Sequence, residues 1–237
     1  MRILGIDTST TIFSFCIFDD NKLLYELNRE RTFSKETKDA GLFFALQELM
    51  EYTDNESIHA IALSIGPGMF TSLRVGLALA KGLNFSRNIP LCGVNTLDVI
   101  AQPFLSFDFI KKEKGVICAT VMEAFQGEIF VAFYNQKTKI SNDIVCSPSE
   151  FMHYINQHFK DKKVFAIGPG VKVLTGFKMA GVMKKNLYIT DSHFFYPSSS
   201  KVVYAALNKI KLGYFDDPDN LEPYYIKKSS AELKGRK

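Results

Sequence analysis

The hydrophobic residues of the first fifty positions predict three strands followed by a helix. Residues 2–8 and 12–19 are almost entirely apolar, which is typical of buried strands, and residues 22–28 follow the turn-forming sequence Asp-Asp-Asn. Over residues 37–52, apolar residues recur at helical spacing and cover a face wider than one core contact requires. The chain therefore opens with a β-meander and an amphipathic helix.

The most distinctive part of the sequence is the strand, turn and helix that come next. An apolar run at 61–65 predicts a buried strand, and a Gly-Pro-Gly turn follows at 66–68. A helix is predicted over 72–84, where the hydroxyl of Thr71 or Ser72 can cap the first turn. This helix carries only two charged residues, so it should be buried nearly all round.

Small residues form two strips along this helix. Ser72, Gly76 and Ala80 fall four apart, and Ala78 and Gly82 form a second strip. Because each mid-helix glycine costs about 1 kcal/mol relative to alanine, another backbone should approach closely. The helix is either packed under its own sheet, or covered partly by its own domain and partly by another protein. A phosphate-binding turn is a weaker third interpretation, since the turn lacks the lysine and spacing of a P-loop.

The order of elements then repeats. A strand at 89–94 and a helix at 96–104 complete the first half, and the Gly-Pro-Gly turn returns at 168–170 after another apolar run. The second half is predicted to contain strands at 115–122, 127–134, 140–146 and 164–167, a helix at 148–159 and a last helix at 201–212. This pattern indicates an internal duplication of a mixed sheet flanked by helices.

We therefore predict an α/β fold with two ribonuclease-H-like domains. This layout resembles the actin, sugar-kinase and heat-shock-ATPase (ASKHA) superfamily, in which two such domains face each other across a nucleotide cleft. The expected domains are residues 1–108 and 109–200, and residues 201–237 form a C-terminal helix and tail that pack back towards the first domain.

The end of the first strand is the place where that superfamily contacts nucleotide phosphates. Asp7, Thr8 and Ser9 occupy it here, and they are our candidates for a weak nucleotide contact. The turn has no glycine that would let the backbone approach a phosphate closely. The other role for Asp7 is to cap its own turn, and the sequence leaves both roles open.

Composition narrows the class of protein. The hydrophobic fraction of 46% and charged fraction of 23% are typical of globular proteins, and the net charge of +4 is mild. The scattered cysteines (Cys16, Cys92, Cys118 and Cys146) are expected to be small buried residues in a reducing compartment. Neither a signal peptide nor an apolar run long enough to span a membrane is present, so we expect a cytoplasmic protein without membrane contact.

Catalytic and metal-binding motifs are missing from the sequence. The four histidines contain no H-E-x-x-H pattern, no G-x-S-x-G elbow occurs, and we expect no metal site and no catalytic residue. Arg74, Lys81 and Arg87 lie on or after the second helix, and lysines cluster at 111–114. Solvated loop charge explains these basic residues more simply than an RNA groove does.

Three motifs resemble the TsaB (YeaZ) family of bacteria. The most specific is GPGMFTSLRVGLALAKGL at 66–83, and ILGIDTST at 3–10, IGPG at 167–170 and PYYIKKSSAE at 223–232 support it. The resemblance covers essentially the whole chain. Two departures are Phe33, where the family usually has histidine, and Glu123-Ala124-Phe125, where it usually has an Asp-Ala-Arg-like element.

The resemblance implies a function in tRNA modification. Such proteins are dimerisation subunits of the machinery that places a threonylcarbamoyl group on the adenosine 3′ of the anticodon in tRNAs reading ANN codons. They pair with a catalytic, metal-containing paralogue (TsaD), and a small ATPase subunit (TsaE) joins the pair. The resemblance therefore implies an accessory subunit rather than an enzyme. It implies no firmly bound cofactor, although ATP or ADP could bind at the partner interface, and contact with tRNA is made indirectly through the complex.

The family's partner contact is a bundle built from the first two helices of each protein. In this sequence those are the helices with the wide apolar faces, at about 38–52 and 72–84. Our predicted interface consists of Leu42, Leu46, Leu49, Ser72, Leu73, Gly76, Leu77, Ala80 and Leu83. An exposed apolar face of this kind should also make the chain a homodimer when it is alone. We expect a bulky charged residue at Gly76 or Ala80 to abolish pairing while the fold is kept.

The alternative function is a stand-alone ATP-binding enzyme, a kinase or ATPase that uses Asp7. It predicts Mg-dependent nucleotide binding by the isolated chain and loss of turnover in Asp7→Ala. The missing glycine after Asp7 argues against it.

Overall fold

The computed structural model of the 237-residue chain describes residues 1–31, 40–51, 58–107, 115–176 and 186–226. These residues form two compact units, Met1–Gln102 with Pro197–Pro223, and Pro103–Tyr196 with the residues from Tyr224 onward. The last helix of the described chain therefore belongs to the first unit, together with the short segment that follows it.

The first unit is built on a five-stranded mixed sheet. Its strands are β1 (Arg2–Asp7), β2 (Ile12–Asp19), β3 (Lys22–Glu30), β4 (Ala60–Gly66) and β5 (Leu91–Asn95), in the order β3-β2-β1-β4-β5. Strand β2 runs antiparallel to its neighbours β1 and β3, and β4 runs parallel to both β1 and β5. The predicted meander followed by a parallel strand is confirmed.

Helices cover both faces of this sheet. The elements α1 (Ala40–Glu51) and α2 (Phe70–Arg87) pack on one face, α1 against β2 and β3 and α2 against β4 and β5. The last helix, α6 (Ser199–Lys211), packs on the other face, where α3 (Thr96–Ser106) also contributes Val99. The sheet is therefore buried on both sides, which explains why β1 has no polar alternation.

The N-terminus of α6 is held by polar groups of the sheet. The backbone N–H of Ser199 donates to Ser14 Oγ at 2.7 Å. Glu26 Oε1 accepts hydrogen bonds from the Ser200 N–H at 2.8 Å and from Ser199 Oγ at 3.1 Å. These bonds satisfy amide groups that a helix start leaves without partners, and a carboxylate is favourable at this end of the helix dipole.

The second unit repeats the topology of the first. Its strands are β6 (Val116–Glu123), β7 (Ile129–Tyr134), β8 (Ile144–Cys146), β9 (Lys163–Ile167) and β10 (Leu187–Thr190), in the order β10-β9-β6-β7-β8. Counted from the first strand of each unit, both sheets have the order 3-2-1-4-5, with the same parallel and antiparallel pairs. The predicted duplication is confirmed.

Two helices pack on one face of the second sheet. The first is α4 (Pro148–His158), which begins with the predicted capping box of Ser147 and Glu150. The second is α5 (Val171–Gly176), which follows the second Gly-Pro-Gly turn. Phe151 and Leu174 are fully buried in the core that these helices share with the sheet.

Both Gly-Pro-Gly turns are built in the same way. Gly66 and Gly168 have φ angles of 121° and 107°, which favour glycine over residues with a side chain. A Cβ atom on Gly68 would lie 2.5 Å from the Ser9 carbonyl oxygen, and one on Gly170 would lie 2.4 Å from the Met122 carbonyl carbon. The final glycine of each turn therefore lets the chain cross the end of the first strand of its unit.

Two sequence predictions of local structure are wrong, and one strand is absent from them. The N-cap of α2 is Met69, without a side-chain hydrogen bond, because the helix begins at Phe70, before Thr71 and Ser72. The strand predicted at 140–146 is limited to β8 at its C-terminal end. Strand β10 was not predicted, because only four residues of edge strand give little periodic signal.

The four cysteines are free and buried, as predicted. No helix in the described ranges combines the length and the hydropathy that crossing a membrane requires.

Candidate partner-binding surface

Helix α2 exposes one side to solvent. Before the last two residues of the helix, which are also exposed, the exposed residues recur every three or four positions and lie on one side: Thr71, Arg74, Ala78, Gly82 and Phe85. Phe85 is 94% exposed, and the guanidinium carbon of Arg74 lies 3.9 Å from the ring centroid of Phe70. The middle of this side, at Ala78 and Gly82, has almost no side chain.

Helix α1 exposes two large apolar side chains on the same face of the sheet. Phe43 and Phe44 are each 60% exposed. Since α1 packs on β2 and β3 and α2 on β4 and β5, the two helices lie side by side on this face, and their buried residues share one core. We call the exposed set the helix-pair surface. It consists of Phe43, Phe44, Thr71, Arg74, Ala78, Gly82 and Phe85.

The residues predicted for the interface lie on the opposite side of the same helices. Eight of the nine are buried in the first unit, and Leu83 is partly buried. The buried residues are Leu42, Leu46, Leu49, Ser72, Leu73, Gly76, Leu77 and Ala80. They cannot meet a partner unless the core opens, so the two helices stay our candidate interface while the contacting residues change. The sequence alone could not tell the buried side of α2 from the exposed side, because both sides are rich in small or apolar residues.

The two glycines of α2 have different surroundings. A Cβ atom on Gly76 would lie 2.3 Å from Thr8 Oγ1, whereas one on Gly82 would have no atom within 4 Å. Gly76 therefore lets α2 approach the end of β1, and Gly82 leaves the outer side of α2 smooth. A charged residue at Gly76 would disrupt the fold. The charged substitution that tests pairing is therefore made at Gly82.

The turn after β1 is buried beneath α2. Asp7, Thr8 and Ser9 have at most 1% of their surface exposed. Asp7 Oδ1 accepts hydrogen bonds from Ser64 Oγ and, at 3.3 Å, from the Ser9 N–H. Gly76 packs against Thr8 and Gly68 against Ser9, so α2 and the Gly-Pro-Gly turn enclose these three residues. Asp7 acts here as the cap of its own turn.

Burial and the neighbouring polar groups act in opposite directions on the pKa of Asp7. Burial raises the pKa of the Asp7 carboxyl, while the hydrogen bonds from Ser64 and Ser9 and the charge of Lys201 lower it. Burial lowers the pKa of Lys201, and the nearby carboxylates of Glu26 and Asp7 raise it. The Asp7 carboxyl of β1 and the partly buried Lys201 ammonium of α6 therefore each favour the charged form of the other.

We expect Asp7→Asn to remove a pH dependence of stability. A carboxyl with a raised folded pKa contributes stability that is fully present below its unfolded value of about 3.8 and is lost as the pH rises through the folded value. Wild type should therefore lose stability relative to Asp7→Asn as the pH increases from 4 to 8. Urea unfolding at several pH values measures this difference. Asp161→Asn, which changes an exposed carboxylate, is the control, and parallel curves for wild type and Asp7→Asn would contradict the prediction.

Histidines have structural contacts in both units. His59 Nδ1 accepts the backbone N–H of Arg2 at 3.1 Å, and the His158 ring packs on Tyr154 with centroids 4.3 Å apart. The part of the chain that the structure describes contains no group of three or more potential metal ligands. Phe33, the lysines at 111–114 and the motif residues after Ile226 lie outside the described residues, whereas Phe125 is 75% exposed in the β6–β7 turn.

Two ribonuclease-H-like sheets of identical strand order, each with a Gly-Pro-Gly turn against its first strand, give the chain a duplicated fold of the actin-like type. Solved structures agree on this fold. YeaZ from Pseudomonas aeruginosa aligns with a TM-score of 0.74 over 95% of this chain and 99% of its own, at 18% identity. The ethanolamine utilization protein EutJ of Carboxydothermus hydrogenoformans aligns with a TM-score of 0.51 over 86% of this chain and 89% of its own, at 12% identity.

Sequence comparisons define the family. The model of the family described as TsaD, tRNA N6-adenosine threonylcarbamoyltransferase, matches residues 42–234. The tRNA threonylcarbamoyladenosine biosynthesis protein TsaB of Escherichia coli is 26% identical over 98% of this chain and 96% of its own length. The Bacillus subtilis protein of the same name is 23% identical over 99% and 97%. The chain belongs to this family, and within it to the TsaB (YeaZ) type, which confirms the resemblance seen in the sequence motifs.

Proposed function

We propose that the chain is a non-catalytic subunit needed for threonylcarbamoylation of the adenosine 3′ of the anticodon in tRNAs that read ANN codons. Its full-length relatives are named for the biosynthesis of that modification. The observation that carries the subunit role is the helix-pair surface, on which two phenylalanines of α1 and one of α2 are at least 60% exposed. The cytoplasm, where tRNA is modified, is the proposed compartment.

The proposed partner of the helix-pair surface is a TsaD-like catalytic paralogue. Helices α1 and α2 expose three phenylalanines on one face of the sheet, and a contiguous apolar area rimmed by polar residues marks a contact with another protein. The small side chains of Ala78 and Gly82 allow a partner helix to approach closely, while the three phenylalanines supply large apolar anchors. The geometry supports a bundle of two helices from each protein.

Further partners are part of the same proposal. A TsaE-like ATPase joins the pair, and the chain alone forms a homodimer through the helix-pair surface, because that surface would otherwise stay in water. A nucleotide bound by the assembly, ATP or ADP, would contact residues other than Asp7, Thr8 and Ser9, since these three are enclosed by α2 and the Gly-Pro-Gly turn.

Reconstitution tests the proposed function. The purified chain would be mixed with its catalytic paralogue, the ATPase subunit, threonylcarbamoyl-adenylate and an unmodified tRNA transcript, and modified adenosine would be measured with and without the chain. We expect modification to require the chain, because the paralogue is held active through the helix-pair surface. Asp7→Asn should support the same rate as wild type, because Asp7 has a structural role.

The opposite outcomes separate the two functions. If modification proceeds equally well without the chain, the subunit function is wrong. If, in addition, the isolated chain hydrolyses ATP and Asp7→Asn loses that activity, the chain is the stand-alone enzyme that the alternative describes.

A further inference from the structure

The charged side chains of the second unit are separated between the two ends of its sheet. Strands β6, β9 and β10 are parallel and begin at the same end, and β7, which is antiparallel to β6, finishes there. The described lysines at this end share short turns or a strand start: Lys137, Lys139, Lys160, Lys162 and Lys163. Among the described residues, Asp143 and Asp161 are the carboxylates that accompany them. We call this set of five lysines the lysine end.

The opposite end of the same sheet is acidic. Its carboxylates lie where β6 ends, before β7 begins, in the first turn of α4 and after β10: Glu123, Glu128, Glu150 and Asp191. Lys172, at the start of α5, is the lysine described there. The described part of the second unit thus has as many lysines as carboxylates, and the two kinds of charge lie at opposite ends.

Contacts with the starts of β6 and β10 hold two of the lysines in place. A Cβ atom on Gly115 would lie 3.4 Å from Lys162 Cδ and 3.8 Å from Lys162 Nζ, so the Lys162 side chain runs beside the start of β6. The Lys163 N–H donates to the Gly115 carbonyl at 3.1 Å. Asn186, which precedes β10, donates from Nδ2 to the Lys160 carbonyl at 3.4 Å. The turn between α4 and β9 is therefore fixed across the ends of three strands.

A second turn brings Lys137 to the same end. Asn135 Oδ1 accepts the backbone N–H groups of Lys137 at 2.7 Å and of Thr138 at 2.8 Å, which fixes the turn after β7. Strands β7 and β9 flank β6, so they lie about 10 Å apart across the sheet. The two lysine-bearing turns are therefore neighbours at one end of the unit.

Three lysines of the lysine end are available to an external anion. Lys137, Lys160 and Lys162 are exposed, and none of them forms a salt bridge with a carboxylate of the described residues. Lys139 instead pairs with Asp143 at 2.6 Å. The dipole of α4 favours a cation just after its C-terminus, which accounts for Lys160, but Lys137 belongs to a turn between strands.

We propose that the lysine end binds the phosphate backbone of the tRNA substrate. Each strand of a nucleic acid carries about one negative charge per 3.4 Å, and lysines that neutralise phosphates release counterions. Cations gathered at one end of a domain attract such a polyanion, and the acidic end repels it, so the unit meets the RNA in one orientation. Contacts of this kind position the tRNA without reading its sequence. This inference rests on the proposed function.

A protein partner fits the lysine end less well. The cores of protein interfaces are depleted of lysine and enriched in aromatic residues. In residues 135–143 and 159–163, Ile140 is the only large apolar side chain that is exposed. The helix-pair surface, with its three exposed phenylalanines, has the opposite composition. The two surfaces therefore suit two kinds of partner.

The test measures how tRNA binding by the assembled complex depends on salt. The full chain, paired with its catalytic paralogue, would be titrated into a fluorescently labelled, unmodified tRNA transcript, and the Kd would be measured by anisotropy at several salt concentrations. We expect the triple variant Lys137→Gln/Lys160→Gln/Lys162→Gln to weaken binding by at least about 10-fold at about 0.1 M salt and to reduce the salt slope by about 2 to 3. Asp161→Asn should tighten binding, because it removes a negative charge from the same end.

The matched control is the triple variant Lys22→Gln/Lys209→Gln/Lys211→Gln, which removes the same number of charges from exposed positions of the first unit. Thermal unfolding would confirm that each variant keeps the wild-type fold. If the two triple variants bind tRNA equally well, while modification still requires the chain, the lysine-end inference is wrong and the proposed function stands. If the lysine-end variant instead fails to pair with the paralogue, the lysine end is a protein contact and the inference is also wrong. If modification does not require the chain at all, the proposed function itself fails.

Discussion

Gly82→Arg is expected to weaken pairing with the catalytic paralogue by at least 100-fold. Gly82 lies in the middle of the helix-pair surface, and its missing side chain lets a partner helix approach the backbone of α2. An arginine there would place a long charged side chain where the partner must pack, and its charge would lose water without gaining an opposite charge. A 100-fold loss corresponds to about 2.7 kcal/mol of binding free energy. Isothermal titration calorimetry with the paralogue measures the change.

The fold should tolerate this substitution. A Cβ atom on Gly82 has no neighbour within 4 Å, and arginine is a better helix former than glycine by just under 1 kcal/mol. Gly176→Arg is the matched control, because Gly176 lies in α5 of the second unit and its Cβ would also have no neighbour within 4 Å. Pairing of wild-type strength in Gly82→Arg would show that the helix-pair surface is not the interface. Analytical ultracentrifugation of the chain alone should show the same loss for the homodimer.

The second large effect concerns the stability of the first unit. Gly76→Ala is expected to lower the free energy of unfolding by about 2 kcal/mol, because the new methyl group would lie 2.3 Å from Thr8 Oγ1 and 3.0 Å from Thr8 Cγ2. Gly82→Ala should instead raise it by up to about 1 kcal/mol, since the alanine favours the helix and meets no neighbour. Urea unfolding of both variants measures the two changes. Their opposite signs distinguish local packing from a general effect of alanine in α2.

A double-mutant cycle identifies the cause of the first effect. Thr8→Ala removes the two atoms that the Gly76 methyl would meet most closely, and it leaves the Cβ at 3.2 Å. The double variant should therefore be at least about 1 kcal/mol more stable than the sum of the single effects, as expected for residues in direct contact. Additive effects would mean that the Thr8 side chain is not what excludes alanine from position 76.

Helix α2 shows how far the sequence alone leads. The two strips of small residues are visible in the sequence, and each of the two main interpretations of the helix applies to one of them. Ser72, Gly76 and Ala80 face the core, and Ala78 and Gly82 face solvent. The sequence could not show which strip faces the core and which faces solvent, because small residues are suitable both for packing on a sheet and for receiving another helix. The proposed interface residues therefore changed sides once the burial of each position was known.

Asp7 shows a similar limit. Its place at the end of the first strand suggested either a turn cap or a nucleotide contact, and both roles use the same carboxyl group. The choice depends on atoms far away in sequence, because Ser64 donates to the carboxyl and Gly76 closes over Thr8. The stacking of Phe165 on Tyr188 has the same origin, since these two residues become neighbours only through the pairing of β9 with β10.

By itself, the sequence determined the duplication, the order of the strands and helices other than β10, and the family, because hydrophobic periodicity, turn residues and short motifs are local properties of the chain. The capping box of α4 and the burial of all four cysteines belong to this group. Only the tertiary structure decided which side of α1 and α2 remains exposed, that Asp7 is enclosed, and which rings stack. These features arise from contacts between distant segments, and no periodicity along the chain encodes them.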